Sequence, residues 1–310
     1  MDRAKESEIS SPEPSPRATT TRRTLLTAGA AGAAALLGPA AAHAAGRPAG
    51  VPGRLRELER RHDATLGVYA RNLRTGRTVR HRADDLFPIC SLFKTLAAAA
   101  VLRDLDRDGE VLARRVHYTE DDLVEGSDKT REHLADGMTI AELCDVAVRF
   151  SDNAAGNLLL RELGGPTAIT RFARSLGDPV TRLDRWETEL NSAEPWRTTD
   201  TTSPRAIGRT YARLVLGDAL PAADRDRLTH WLLNNTTSAD RLRAGVPDSW
   251  TVADKTGGGE YGTNNNVGIA WTPDGTPVVL AVLSRKADPA AVRVNALIAE
   301  TAQVLTEALG

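Results

Sequence analysis

Ser91, Lys94 three residues later and the helix-forming run behind them are a set that can do chemistry. In Phe87-Pro88-Ile89-Cys90-Ser91-Leu92-Phe93-Lys94, Phe87-Pro88 reads as a turn, and the Ala/Leu run from Leu96 to Leu102 reads as a helix. Ser91 then stands in the first helical turn with Lys94 on the same face. A serine hydroxyl is a poor nucleophile until a base takes its proton, and a desolvated lysine can be that base. Unpaired N–H groups at a helix start also favour negative charge developing on a substrate oxygen. The same residues equally suit a capping serine and a solvated lysine.

Two more groups bear on the choice. Ser151-Asp152-Asn153 lies between two helical segments, where a hydroxyl can deliver a proton and an amide can bind an amide; helix capping by Ser or Asp is the plainer use. Lys255-Thr256-Gly257, followed by Gly258 and Gly259, ends an expected strand Trp250–Lys255. A cation and a hydroxyl there suit a carboxylate, and glycines let a substrate lie along the strand edge. A glycine-rich hairpin loop is the alternative. Of 40 basic residues only five are lysine, at 5, 94, 129, 255 and 286, so arginine is this chain's default cation. Lysine can lose its proton near neutral pH and arginine cannot, which hints that the retained lysines are used.

The 310 residues carry a net charge of −1, 41% hydrophobic and 26% charged residues, an ordinary globular balance. No basic stripe points to nucleic acid. Two cysteines, Cys90 and Cys144, make no disulfide framework, and six scattered histidines make no metal motif, so neither metal nor cofactor is expected. Residues 1–20 are polar and Ser/Pro-rich. Arg22-Arg23, a weakly apolar Ala/Gly/Leu run and the small-residue site Ala42-His43-Ala44 read as a twin-arginine export signal over 1–44. This implies the twin-arginine translocase as a partner and a secreted protein with no membrane anchor after cleavage.

The elements that must position the candidate residues follow from periodicity. A helix over Pro52–Asp63 precedes a hairpin, Thr65–Leu73 and Thr78–Arg82. Helical patterns run over 91–105, 139–149, 153–163, 166–175, 204–216 and 222–233. Strands return at Trp250–Lys255, Asn266–Thr272 and Thr276–Ser284, and a helix over Pro289–Leu309 carries Val294, Leu297, Ile298, Leu305 and Ala308 on one stripe. The expected fold is a two-lobed α/β class: an antiparallel five-stranded sheet flanked by N- and C-terminal helices, with an inserted all-helical lobe. The α/β lobe covers about 48–84 and 238–310, and the helical lobe about 85–237. A site between the lobes is the default expectation.

SxxK, SDN and KTG in this order resemble the class A serine β-lactamases and penicillin-binding proteins. The class A resemblance runs from about Arg54 to the C-terminus, including His133 to Thr139 and Thr263-Asn264-Asn265. Arg185-Trp186-Glu187-Thr188-Glu189-Leu190-Asn191 is similar to that family's Ω-loop pattern RxExxLN. The resemblance implies Ser91 as nucleophile, Lys94 or Glu187 as acylation base, Ser151 as proton donor to the departing nitrogen and Glu187 as deacylating base. It implies Asn191 as holder of the water, and Asn153, Lys255, Thr256, Gly257 and Gly258 as substrate contacts. Arg185 and Asp200 would close the Ω-loop, and the protein would act as a monomer on a small β-lactam. Many relatives have an arginine where Asn264 stands; Arg241, upstream, is expected to take that task, with Arg243 structural. Gly126 replaces a frequent aromatic gate. The 187–188 peptide is expected to be cis if the family geometry is kept. The disulfide of a carbapenem-hydrolysing subgroup would pair Cys90 with position 259, here Gly259, so it is excluded. A carboxypeptidase or transpeptidase would share the three motifs without Glu187, and a penicillin sensor would add a membrane anchor.

Overall fold

The structure, a computed structural model, describes residues 50–310, so the export signal expected over 1–44 lies outside the described residues. Strands β1 (Thr65–Asn72), β2 (Thr78–His81), β3 (Thr251–Gly258), β4 (Asn264–Trp271) and β5 (Pro277–Arg285) form one antiparallel sheet in the order β2-β1-β5-β4-β3. Helices α1 (Val51–His62) and α8 (Asn295–Leu309) cover one face. Between the second and third strands run α2 (Phe93–Ala100), α3 (Ile140–Arg149), α4 (Asn153–Glu162), α5 (Thr167–Ser175), α6 (Pro204–Leu216) and α7 (Ala222–Leu233).

The sheet is buried on both faces, which is why β5 is an unbroken apolar run. Alternation then divides it: Val278, Leu280 and Val282 join a core with Leu55 of α1 and Leu297, Ile298 and Leu305 of α8. Val279, Ala281 and Leu283 join the larger core that holds Phe93, Leu96, Leu143 and Tyr211 from the helices. Local caps fix the helices that carry the motifs. Thr139 and Glu142 form a reciprocal capping box at the start of α3. Asp152 caps α4 by accepting the Ala155 N–H at 2.9 Å, which sets Ser151 and Asn153 on either side of a fixed turn.

Four expectations about elements are corrected. Phe87–Pro88 is not a free turn but a two-residue strand paired with Thr201–Thr202. Helix 91–105 is divided into a 3₁₀ turn at Cys90–Leu92, α2, and a π-helical stretch at Val101–Leu105. Asp106 stops it, turning back to accept the N–H groups of Gly109, Val111 and Leu112. Strand β3 does not end at Lys255; it continues through Gly258 because Gly257 and Gly258 still pair with Asn265 and Asn264. Backbone pairing needs no side chain. The last helix starts at Asn295 rather than near Pro289, leaving Val292 and Arg293 exposed ahead of it.

Candidate active site

Ser91 sits in the 3₁₀ turn before α2, and Lys94 is fully buried one turn later. Lys94 Nζ reaches four oxygens: Ser91 Oγ at 3.0 Å, Ser151 O at 2.8 Å, Asn153 Oδ1 at 2.5 Å and Glu187 Oε1 at 3.0 Å. An ammonium has three protons for those four acceptors. Ser91 in turn donates to Glu187 Oε1 at 3.3 Å. The serine proton therefore has two groups in reach, one amine and one carboxylate.

Glu187 is 4% exposed and held from several sides. Its Oε2 accepts from Asn191 Nδ2 at 2.5 Å, and its peptide bond to Thr188 is cis. Asn157 clamps its backbone, accepting the Glu187 N–H and donating to the Glu187 carbonyl, each at 2.9 Å. Arg185 Nε donates to Asp200 Oδ2 at 2.6 Å, while Asp200 Oδ1 accepts the N–H groups of Asp184 and Arg185. These contacts tie both ends of the 185–200 segment together. At its middle, Asn191 O accepts the Glu260 N–H at 2.9 Å. A Cβ on Gly259 would stand 2.6 Å from that same oxygen, so the contact requires glycine there.

Strand β3 is the sheet edge beside Ser91. A Cβ on Gly257 would lie 3.2 Å from Ile89 O and 3.4 Å from Ser91 N, so glycine lets the strand pack on the nucleophile's turn. The Gly259 N–H goes to Thr263 O across the hairpin. Alternation turns the Gly258 N–H the other way, to the open edge. Lys255 Nζ donates to Ser151 Oγ at 2.9 Å and Thr256 O at 3.0 Å. Burial first, then the charges of Lys94 and Arg241, hold Lys255 well below the ordinary lysine range. The Thr256 hydroxyl meets Thr237 Oγ1 at 2.5 Å. A cavity of about 850 Å³ opens over these groups, with Ser91, Ser151, Asn153 and Thr256 in its wall. Its chemistry is a nucleophilic hydroxyl with a base in reach, edge N–H groups for an oxyanion and a cationic end for a carboxylate.

Comparison with known proteins identifies the family. The model of the beta-lactamase enzyme family matches residues 52–309. A beta-lactamase of Streptomyces fradiae is 62% identical over 93% of this chain and 96% of its own length. One from Streptomyces albus G is 59% identical over 93% and 97%. The solved structure of a Streptomyces albus G β-lactamase superposes with a TM-score of 0.83, at 62% identity over 84% of this chain and 99% of that one. An ancestral class A β-lactamase follows at 0.80 and 48% identity, covering 83% and 99%. The chain belongs to the class A β-lactamase family.

Several residues that set a class A β-lactamase apart from its relatives can now be placed. Asn264 does not face the cavity as a cation would; its Nδ2 donates to Asn295 Oδ1 at 2.9 Å. Arg241 lines the cavity, and burial and the nearby Arg293 lower its pKa. Arg243 instead binds Asp254 and the carbonyls of Leu232, Leu233 and Val252. Gly126 takes a φ of 73° at the cavity rim and its carbonyl accepts the Asn153 N–H at 2.9 Å. Cys90 and Cys144 are free and buried, and Cys90 Sγ lies 3.1 Å from where a Gly259 Cβ would be. Burial pushes both thiols up. Among the described residues no cluster of three or more His, Cys, Asp or Glu is placed to hold a metal, and no helix is long and apolar enough to cross a membrane.

Motif reading missed two residues. Asn157 stands one helical turn after Asn153 and shares its face, a spacing that could have flagged it. Arg293, also at the cavity, carried no local signal.

Proposed function

We propose that this protein is an exported class A β-lactamase that opens the lactam amide of penicillins, with cephalosporins as further substrates. Ser91 attacks the lactam carbonyl, the C–N bond breaks, and an ester forms on Ser91. The proton of Ser91 passes to Lys94 or to Glu187. The N–H groups of Ser91 and Gly258 receive the oxyanion, a contribution worth about 10²–10³ in rate per donor in other hydrolases. Ser151, with Lys255 donating to it, gives a proton to the departing nitrogen. Glu187 then takes a proton from water, which attacks the ester and frees Ser91. Asn191 Oδ1, buried and without a donor among the described residues, is an acceptor available to orient that water.

The observation that carries this reading is the second carboxylate function. Glu187 Oε1 lies 3.3 Å from Ser91 Oγ while Asn191 fixes Oε2, so a base is aimed at the position of the ester. Lys94 is already within reach of the serine proton, so a carboxylate beside it, paired with the unpartnered Asn191 Oδ1 that can hold a water, supports a second, hydrolytic step. Steady-state hydrolysis of a chromogenic cephalosporin by the purified protein is the test. One stoichiometric burst without turnover would sink the hydrolase reading.

Residues 45–310 form the proposed catalytic unit, with an α/β lobe over about 48–84 and 238–310 and a helical lobe over about 85–237; that all five strands of the sheet fall in the first ranges and helices α2 to α7 in the second supports this division. The protein is proposed to act as a monomer. The twin arginines at 22–23 support export through the twin-arginine translocase, with cleavage after Ala44. Activity confined to the cytoplasmic fraction would remove the export part.

The substrate carboxylate goes to Thr256, Lys255 and Arg241, and Asn153 takes the side-chain amide. Arg241→Ala is expected to raise the penicillin KM about 10- to 100-fold with kcat nearly unchanged, the size of a lost hydrogen bond to a charged group. An unchanged KM would remove Arg241 from the subsite.

A pH effect follows from Lys255, which faces Lys94, Arg241, Asp254 and Glu187. Its depressed pKa means that the ammonium loses its proton at a lower pH than an ordinary lysine. As pH rises through that value the carboxylate loses a cation, so KM climbs on the alkaline side. Lys255→Arg keeps its charge and is expected to postpone the climb. Superimposable KM profiles for the two proteins would exclude Lys255 as the titrating group.

A further inference from the structure

Arg293 lies between β5 and α8, and its side chain crosses the bare Cα of Gly258. A Cβ at Gly258 would stand 2.2 Å from its Nη1 and 3.1 Å from its Cζ. Thr256 and Gly258 are two apart on β3, so they share a face at a spacing of about 7 Å. Arg293 therefore borders the same cavity as Ser91, Thr256 and Arg241. Among the described residues no carboxylate pairs with either Arg241 or Arg293. The two guanidinium groups are also positioned together. Asn295, two residues after Arg293, accepts from Asn264 and donates to Asp240 Oδ2 at 2.5 Å, immediately before Arg241. One polar chain thus sets both backbones. Asp240 on that chain offsets part of the charge at Arg241, and Glu125, Glu189 and Glu260 line other parts of the wall. No carboxylate lies within ion-pair distance of either guanidinium among the described residues, so two cations facing one cavity favour an anion there.

We propose that Arg293 is a specificity-determining residue, a second guanidinium for the ring carboxylate of the substrate, approaching across Gly258. It rests on the β-lactam reading above. Gly258 is the condition for it, because a side chain at that position would occupy the space of the guanidinium. Asn264 is the other condition, since its amide anchors the segment that presents Arg293.

The test measures the apparent dissociation constant for acylation of Ser91 by benzylpenicillin and by benzylpenicillin methyl ester, using rapid quenching and mass spectrometry. Arg293→Ala is expected to weaken the penicillin value about two- to five-fold, the scale of a solvent-exposed ion pair. The acylation rate at saturation and the values for the methyl ester stay unchanged, and Arg293→Lys keeps part of the affinity. In an Arg241→Ala background the loss grows, since neither cation then covers for the other. An unchanged penicillin value overturns the proposal, as does an equal loss with the ester, which marks a merely structural role. A wild-type protein that acylates without turnover removes the hydrolase reading and leaves this measurement intact; one that does not acylate at all removes both.

Discussion

With Glu187→Gln, benzylpenicillin is expected to leave its ester on Ser91, and intact-protein mass spectrometry to show an adduct that persists. Glutamine keeps the shape of the side chain and still offers an oxygen to Asn191 Nδ2, so the 185–200 segment has no steric reason to move. What it loses is the ability to take a proton from water. A positioned general base contributes about 10²–10⁴ in rate, and deacylation should fall by that factor. Turnover at the wild-type rate would remove Glu187 from the hydrolytic step. The same variant decides the acylation base. Acylation at the normal rate assigns the serine proton to Lys94; slowed acylation assigns it to Glu187, 3.3 Å from Ser91 Oγ.

Lys94→Met strikes the other half of the cycle. Methionine retains an unbranched buried chain but offers no protons to Ser91, Ser151, Asn153 and Glu187. Acylation is expected to fall about 10²–10⁴, read as the rate of adduct formation on Ser91. Stability also falls, because the fully buried Glu187 side chain loses its ion-pair partner. Breaking one side of a buried pair costs about 3–5 kcal/mol, visible in denaturant titration. The double variant Lys94→Met, Glu187→Gln removes both charges and is expected to recover much of that stability while remaining inactive. Near-normal acylation by a folded Lys94→Met protein would take Lys94 out of the proton path.

Local chemistry explains what was legible in the sequence. Ser91 and Lys94 were readable because helical spacing alone puts them together. The unbroken apolar run of β5 and the stripe on α8 likewise betray a sheet covered on both faces. The course of β3 past Lys255 was not readable, because Gly257 and Gly258 have no strand propensity and are held only by Asn265 and Asn264 across the hairpin. Phe87–Pro88 was misread for the same reason, its partner lying at Thr201–Thr202. Arg293 was invisible because one arginine among many announces nothing until the fold lays it over Gly258.

The hydrogen bond from Glu260 N–H to Asn191 O has a price in adaptability. It joins the strand that flanks the acylated serine to the loop residue that grips Glu187, with no Cβ at Gly259 to keep them apart. Room for a bulkier acyl side chain made there opens that seam, and the seam carries Glu187, the proposed deacylating carboxylate, with it. Breadth of substrate and speed of release are therefore set by one joint, and a lineage that widens its repertoire at this edge should grow slower on the compounds it already destroyed.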